Sequence, residues 1–537
     1  MLRTDLIRPV WELLAGHAAA RGGQPAFQDD EVTRSWAELH ERTGRLAGHL
    51  AALGAAGGCV AIVMGNRVEV AESYLAAVRA GAVAVCLNAQ AGDGELAYMI
   101  GDCGAGLLIT DDRLLGRVTG LLPGSRDVRL IVAGQPAGQA AGPRPAGAGD
   151  LLAYEDLAAS PPPGPPPDSL PLHAPAFMLY TSGTTGRPKG VLLSQHSCLW
   201  VVAACWAPAL RLTASDVIVS ALPLFHSYAL DLTVLAPVAV GCTQRLLPRF
   251  SPARVIAEVR NGPGTVLPGV PTMFDYLVQA LGGEPLGAPS LRVCVSAGAI
   301  LGAGLCQRFE QAAGVPLLDG YGITETSTMV TMNWLGGSRP PGSCGIPVPG
   351  CAVRLVDPAT GEDVPQGGEG ELIVRGPQVM LGYHGQPEAT AQALRGGWYH
   401  SGDLARSDEC GYLTVTGRIK ELIIRGGENI YPAEVEQVLV RHPAILDAAV
   451  AGEPHPSLGE VPVAFVVLAE PGSFDEPAVR AFVREQLAEW KGPARFEFIG
   501  AIPRTGSGKT QRRRLFELTA GAPSAGTPSA GAAASGT

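Results

Sequence analysis

From Leu179 to Gly190 the chain reads Leu-Tyr-Thr-Ser-Gly-Thr-Thr-Gly-Arg-Pro-Lys-Gly, and the apolar run AFMLY leads into it. A strand entering a turn with three glycines and four hydroxyl residues presents N–H groups and hydroxyls to an anion, and Lys189 adds a point charge. Thr181, Ser182, Gly183, Thr184, Thr185 and Lys189 therefore form a candidate phosphate cradle. The string does not fit G-x-x-x-x-G-K-[ST], which disfavours a conventional P-loop nucleotidase. Nearer the C-terminus, Gly506-Ser-Gly-Lys-Thr510 does mimic the end of that motif. Pro503 stands in the place of its first glycine, however, and only 28 of the 537 residues follow Lys509, too few for a nucleotide-binding core. A mobile glycine loop that delivers Lys509 to a site built elsewhere explains the string better.

The elements that position these residues alternate in a βαβ manner. CVAIVMGN, from Cys59 to Asn66, suits a buried parallel strand, RVEVAESYLAAVRAG a helix, and AVAVCLNA a second strand. The pattern predicts a parallel sheet with helices on both faces. Residues 134–171 are rich in Gly and Pro, which predicts a solvated loop with polyproline character. The strand and helix alternation resumes in DVIVSALPLF, TVLPGV and SLRVCVSAGA, predicting a second α/β unit over 172–335. Short strands with turn signals over 345–416 predict a small β-rich unit. Beyond Arg418, helices near Pro432 and around Val479, Phe482, Val483 and Leu487 flank the strand VPVAFVVL, giving a small α+β domain. The expected division is 1–418, 419–518 and a low-complexity tail over 519–537 that should be disordered.

Composition narrows the class. Charged residues make up 17% of the chain against about 25% in an average soluble protein. The net charge of −10, without a basic tract, argues against nucleic acid or anionic lipid as main partner. Eleven singly scattered cysteines predict buried thiols in a reducing compartment, with neither disulfide frame nor zinc site. The N-terminus lacks the apolar stretch of a signal peptide, so the expected location is cytoplasmic. The apolar region Val217 to Cys242 is interrupted by Pro223, His226, Asp231 and Pro237, which predicts a buried strand and core helix and no membrane span.

Tyr180 to Gly190 resembles the signature phosphate loop of the adenylate-forming superfamily: acyl-CoA and aryl-CoA ligases, nonribosomal peptide synthetase adenylation domains and luciferases. Five further signatures recur in order: Asp319-Gly-Tyr-Gly-Ile-Thr-Glu-Thr326, Trp398-Tyr-His-Ser-Gly-Asp403, Gly417-Arg-Ile-Lys-Glu-Leu-Ile423, Gly426-Gly-Glu-Asn-Ile-Tyr-Pro432 and Pro503-Arg-Thr-Gly-Ser-Gly-Lys509. The resemblance covers nearly the whole chain outside the Pro-rich insertion and the tail. It implies an α/β fold with a large N-terminal domain of two α/β subdomains and a small β-rich one, followed by a small mobile α+β domain. It also implies ATP, Mg²⁺ and a pantetheine thiol, from coenzyme A or a carrier protein, as cofactors and partners of a carboxylic acid substrate.

Adenylation brings a carboxylate up to an α-phosphate, so donors and cations must neutralise the developing centre. By resemblance Lys509 is that cation, Thr324 hydrogen-bonds the same region, and Glu325 with Thr181 holds Mg²⁺, a hard cation preferring oxygen. Tyr321 offers a face to adenine, with Gly298 and Ala299 on the other side and Gly320 beside them. Asp403 and Arg418 bind the ribose hydroxyls. Lys420 matches the hinge, and Gly426 and Gly427 match an arm that approaches the thiol tunnel, although glycines there also simply end the strand ELIIR.

Specificity is expected around Leu222-Pro-Leu-Phe-His-Ser-Tyr228. Amino-acid-activating members carry Phe-Asp where this chain has Phe225-His226, so no carboxylate awaits an amine. The segment resembles acyl-CoA and hydroxycinnamate-type CoA ligases, in which the histidine borders the acyl carboxylate. His226, Tyr228, Gly298 and Gly322 are the expected pocket. The leading expectation is an acid-thiol ligase that makes an acyl-AMP and then a thioester of coenzyme A. Loading of a carrier-protein phosphopantetheine shares its first step, while a regulatory protein that has lost catalysis would lack Lys509, Glu325 or the phosphate loop, and none is missing.

Overall fold

A computed structural model of the chain describes residues 2–122, 128–134, 151–181, 187–426, 428–470, 472, 474–504 and 510–519. The Gly-rich stretch 135–150, the phosphate-loop residues Ser182, Gly183, Thr184 and Thr185, Gly427, Lys509 and the tail from 520 lie outside the described residues. The chain forms two compact units that part after Val415, three residues before the boundary read from the sequence.

The first unit is organised by two large sheets. Cys59–Val63, Val83–Cys86, Leu107–Asp111 and Arg129–Ala133 pair in parallel, their runs of Val, Ile, Leu and Ala buried as expected of strands covered on both faces. Leu151–Ala153 extends this sheet at one edge. Pro175–Thr181, Lys189–Ser194 and Gly382–Tyr383 extend it at the other. The second sheet has a parallel centre of Val217–Ser220, Thr243–Leu246, Val266–Gly269, Val293–Ser296 and Leu317–Tyr321. Its far edge is Pro25–Gln28 and Thr33–Ser35. A smaller antiparallel sheet contains Ala352–Val356, Glu369–Arg375 and Tyr399–Ser407.

Two expectations are corrected here. The α/β subdomains are not contiguous in sequence, because strand 175–181 returns to the first sheet beside Val83–Cys86, and strand 25–28 crosses to the second beside Thr243–Leu246. Nor is 134–171 a solvated loop throughout. Leu151–Ala153 pairs with Arg129–Ala133, and Tyr154 opens the helix Tyr154–Ala159, fully buried, with its hydroxyl donating to Glu72 Oε2 at 3.1 Å. The Gly/Pro composition around this segment obscured one short apolar strand and one aromatic anchor.

Even the proline run is docked. A β-carbon on Gly48, in the helix Trp36–Ala52, would lie 2.5 Å from Gly164 O and 2.7 Å from Pro162 Cγ, so glycine there makes room for the segment. Arg79, 3% exposed, donates to both carboxylate oxygens of Asp168 (2.9 and 3.0 Å) and to His40 O and Thr43 Oγ1.

The long helical region between Ser227 and Val240 fills the core with almost complete burial, as does that between Gln195 and Ala209. Each contains a π-helical segment, Leu230–Leu235 and Val202–Trp206, the type of local widening that often marks a functional site. Among the described residues no helix is long and apolar enough to cross a membrane.

In the second unit Ile445–His455 pairs with Gly459–Leu468, which also pairs with Ile423–Arg425 and Arg495–Phe498. The helices Pro432–Leu439 and Glu476–Gln486 bury Val435, Val438, Leu439, Val479 and Val483 in a core with Ile423, Ile430 and Val466.

Replacing Asp168 by Asn leaves the buried Arg79 guanidinium without its counter-charge. Urea unfolding should register a loss of about 3 kcal/mol, the scale of a broken buried pair. A loss below about 1 kcal/mol, typical of a surface pair, would show that the proline segment is not anchored there.

Candidate active site

Several of the described candidate residues of the first unit lie at or just beyond the carboxyl ends of its strands, where open α/β sheets bind their ligands. Thr181 ends Pro175–Thr181 and pairs with Lys189, the first residue of the next strand, so the phosphate loop joins two fixed ends. Gly298 and Ala299 follow Val293–Ser296, the Leu222 to Tyr228 segment follows Val217–Ser220, and Tyr321 ends Leu317–Tyr321. Tyr180 is tied down by its hydroxyl, which donates to Asp102 Oδ2 at 2.6 Å. Burial, then the bond to Asp102, pushes its pKa up, so the phenol stays protonated.

The segment after Tyr321 turns back very tightly. A β-carbon on Gly322 would lie 1.2 Å from the Thr328 carbonyl oxygen, and one on Gly320 would lie 2.2 Å from Met329 Cε. At Gly322 the main chain's own return requires glycine, while at Gly320 the crowding comes first from the ends of the Met329 and Met332 side chains. The turn includes the 3₁₀ helix Thr324–Thr326, followed by Ser327 and Thr328 at φ of +47° and +92°. Non-glycine residues in that region persist only where their surroundings hold them. Ser327 Oγ donates to Gln378 O at 2.9 Å, and Thr328 Oγ1 donates to Asp231 Oδ2 at 2.8 Å. Asp231 is fully buried, and burial raises its pKa well above the ordinary carboxylate value.

This turn brings Thr324 and Glu325 to the other motifs. Ser227 Oγ and Thr324 Oγ1 lie 3.4 Å apart, which ties the His226 segment to the turn. The Tyr383 hydroxyl donates to Glu325 Oε1 at 3.0 Å, and Lys189 Nζ lies 5.0 Å from the centre of the Tyr383 ring. The Tyr321 hydroxyl donates to Asp403 Oδ2 at 2.5 Å, linking the two residues expected at adenine and ribose. Asp403 is buried, its N–H donating to Ser401 Oγ, whose hydroxyl donates to Leu372 O.

His226 is half-buried at the start of the helical segment Ser227–Ala229, and its N–H donates to Pro223 O. Tyr228, 4% exposed, stacks on Trp206 with centroids 5.7 Å apart and planes at 24°, and its hydroxyl donates to Val295 O at 3.0 Å. Gly298, at φ +89°, has only Val270 Cγ1 within reach of a β-carbon, at 3.7 Å. The sequence reading missed Tyr383, Trp206 and the contact of Asp231. Nothing local marks them: Tyr383 meets Lys189 and Glu325 only through pairing of distant strands.

In the second unit, Arg418 ends the strand Leu413–Arg418 and Lys420 lies in the 3₁₀ turn Ile419–Glu421. Gly426 sits at φ +61° between the antiparallel strands Ile423–Arg425 and Glu428–Ile430, a turn that itself favours glycine. The residues flanking the Lys509 segment are firmly held. Arg504 donates to both oxygens of Asp447 at 2.9 Å, and Arg504 and Thr510 form an isolated antiparallel bridge. Arg512 donates to both oxygens of Glu436 at 2.8 and 3.0 Å.

Glu325 fits a Mg²⁺ role by its chemistry. Mg²⁺ is commonly held by one or two carboxylates plus substrate phosphates and water, without an all-protein cage. Among the described residues no group of three or more His, Cys, Asp or Glu forms such a cage. The Tyr383 hydroxyl occupies one acceptor position of a carboxylate that has about four.

Comparison with known proteins bears on the family and the fold. Residues 14–384 match the family model of the AMP-binding enzymes, and residues 434–509 match that of the AMP-binding enzyme C-terminal domain. Feruloyl-CoA synthase of an Amycolatopsis species is 38% identical over 88% of this chain and 92% of its own length. Naringenin synthase of Pestalotiopsis fici is 36% identical over 93% of this chain, which spans 18% of that protein's length. A benzoate CoA ligase structure from Burkholderia xenovorans superposes with a TM-score of 0.84 at 30% identity, over 95% of this chain and 99% of that one.

The buried carboxyl of Asp231 gives a pH signature. Its folded pKa lies above its unfolded one, so the folded state keeps a proton that the unfolded chain releases. Stability is therefore lost as pH rises from the ordinary Asp range toward the raised value. Asp231→Asn keeps the shape without the titration. Relative to wild type it should gain about 1.4 kcal/mol per pH unit within that window in urea unfolding. Parallel pH profiles for the two proteins would contradict a buried neutral Asp231.

Proposed function

We propose a function from one premise: this chain belongs to the AMP-binding enzyme family. It activates an aromatic carboxylic acid as its acyl adenylate and passes the acyl group to the thiol of coenzyme A. In the first step a carboxylate oxygen attacks the α-phosphorus of ATP, the bond to the β-phosphate breaks and pyrophosphate leaves. In the second the thiolate sulfur attacks the acyl carbon, and the carboxyl oxygen departs on AMP.

The residues take the following roles. Thr181, the phosphate loop and Lys189 bind the phosphates, Tyr321 stacks on adenine, and Asp403 with Arg418 accepts and donates to the ribose hydroxyls. Glu325, with Thr181, would hold Mg²⁺, which supplies charge neutralisation on the phosphates. Thr324 and Lys509 donate to the oxygens of the developing centre, where preorganised donors act most strongly. Lys420 serves as hinge and the Gly426-Gly427 arm approaches the thiol.

The observation that carries the substrate class is the position of Asp231. It is the one acidic residue between Leu222 and Val240, and it is buried and bonded to Thr328. That leaves the pocket segment no carboxylate for a substrate ammonium, which separates this protein from amino-acid-activating relatives. Tyr228, backed by the fully buried Trp206 and with its one hydroxyl already committed to Val295 O, offers an apolar contact and no free donor, which suits an aromatic ring. The aromatic acids in several relatives' names support the same class, and the CoA in those names supports free coenzyme A as acceptor. All eleven cysteines are free thiols, which suits a reducing cytoplasm supplied with ATP and CoA.

Incubation with ATP, Mg²⁺, CoA and a panel of acids should release AMP and pyrophosphate only when an acid is present. Benzoates or arylpropenoates should exceed straight-chain acids by about tenfold or more in kcat/KM. Release of ADP and phosphate would overturn the ligase reading, and an amino acid as best substrate would overturn the pocket reading. Faster loading of a phosphopantetheinylated carrier protein than of CoA would overturn the acceptor.

A further inference from the structure

Tyr383 belongs to none of the six motifs, yet it touches two of them. The segment Met380 to His384 lies between the strand that carries Lys189 and the turn that carries Glu325. On one side Leu381 N–H donates to Leu192 O at 2.9 Å and His384 N–H to Gly190 O at 2.7 Å, and Tyr383 pairs with Val191. On the other, Met380 N–H donates to the main-chain oxygen of Glu325 at 2.8 Å. Backbone bonds thus lock the segment to both motifs before any side chain is considered.

The side chain completes the link. The Lys189 ammonium lies 5.0 Å from the ring centre, within the range of a cation–π contact. The hydroxyl donates to Glu325 Oε1 at 3.0 Å. The Tyr383 N–H donates to Thr390 Oγ1 at 2.9 Å, and Gly382, at φ +150°, has no β-carbon to collide with Thr390 Cγ2, 2.8 Å away. The ring is therefore fixed from its own backbone.

A phenol is the one side chain that offers a π face to a cation and a hydroxyl to an anion. Phenylalanine would hold the lysine alone, and an aliphatic residue would hold neither. An ammonium and a carboxylate meeting directly would neutralise each other. A tyrosine between them orients each while leaving its charge for phosphate on one side and a hard cation on the other.

We infer that Tyr383 is a positioning residue for ATP and Mg²⁺ binding, its ring setting Lys189 and its hydroxyl setting Glu325. This rests on the roles given to Lys189 and Glu325 under the proposed function.

Calorimetric titration of the full-length protein with ATP, in EDTA and again in Mg²⁺, separates the two halves. Tyr383→Phe should leave metal-free ATP affinity within about twofold and weaken the gain from Mg²⁺ by about ten- to hundredfold, the scale for a partner of a metal ligand. Tyr383→Leu should lose the same gain and in addition about two- to tenfold of metal-free affinity, the scale of one cation–π contact. Thermal melts of both variants check that each is folded. The inference is overturned if Tyr383→Phe keeps the full Mg²⁺ gain, or if both variants lose the two affinities in equal proportion, as a general packing defect would produce. If wild-type protein binds ATP with no Mg²⁺ gain, the underlying assignment of Glu325 fails instead.

Discussion

Between Gly320 and Thr328 the main chain folds back so closely that a β-carbon on Gly322 would lie 1.2 Å from the Thr328 carbonyl oxygen. The rest of the first unit's site depends on that return. It forces positive φ at Ser327 and Thr328, and each of those residues is held by a bond from elsewhere in the fold, to Gln378 O and to Asp231. In exchange, the turn presents Thr324 and Glu325 at the carboxyl end of a parallel strand, beside Ser227 and Tyr383. The strain is local, and its supports come from two distant parts of the chain, around Asp231 and around Gln378.

The chemistry explains why such rigidity is useful. A carboxylate approaching a triphosphate meets like charge, and the groups that relieve it must already be oriented when the new bond forms. The first unit provides orientation through paired strands and short bonds: Tyr180 on Asp102, Tyr321 on Asp403, Tyr383 on Glu325. Within the second unit, Arg504 and Arg512, on either side of the Lys509 segment, each reach both oxygens of one carboxylate through a single nitrogen. Charge-assisted bonds of this kind are stronger than neutral ones and hold the two flanking residues in place.

Much of this was legible in the sequence because it is local. A strand ending in a Gly and hydroxyl-rich turn is written in a dozen consecutive residues, and the ordered motifs identify the family. The buried strands at Cys59, Val83 and Val293 follow from uninterrupted apolar runs. What was not legible depends on pairing across long separations. Composition alone read 134–171 as a solvated loop, although Tyr154 is a core anchor and Asp168 a partner of buried Arg79. The contact of Asp231 was hidden because its partner, Thr328, is distant in sequence, and Tyr383 carried no signal because its two contacts come from strand pairing and a turn.

The central claim is that an acyl adenylate lies on the reaction path, and isotope transfer tests it most directly. An aromatic acid labelled with ¹⁸O in its carboxylate should deliver one ¹⁸O atom into AMP during a single turnover with ATP and CoA, because the bridging oxygen leaves with the nucleotide when the thiol attacks the acyl carbon. Unlabelled AMP, or label recovered in inorganic phosphate alongside ADP, would contradict the account.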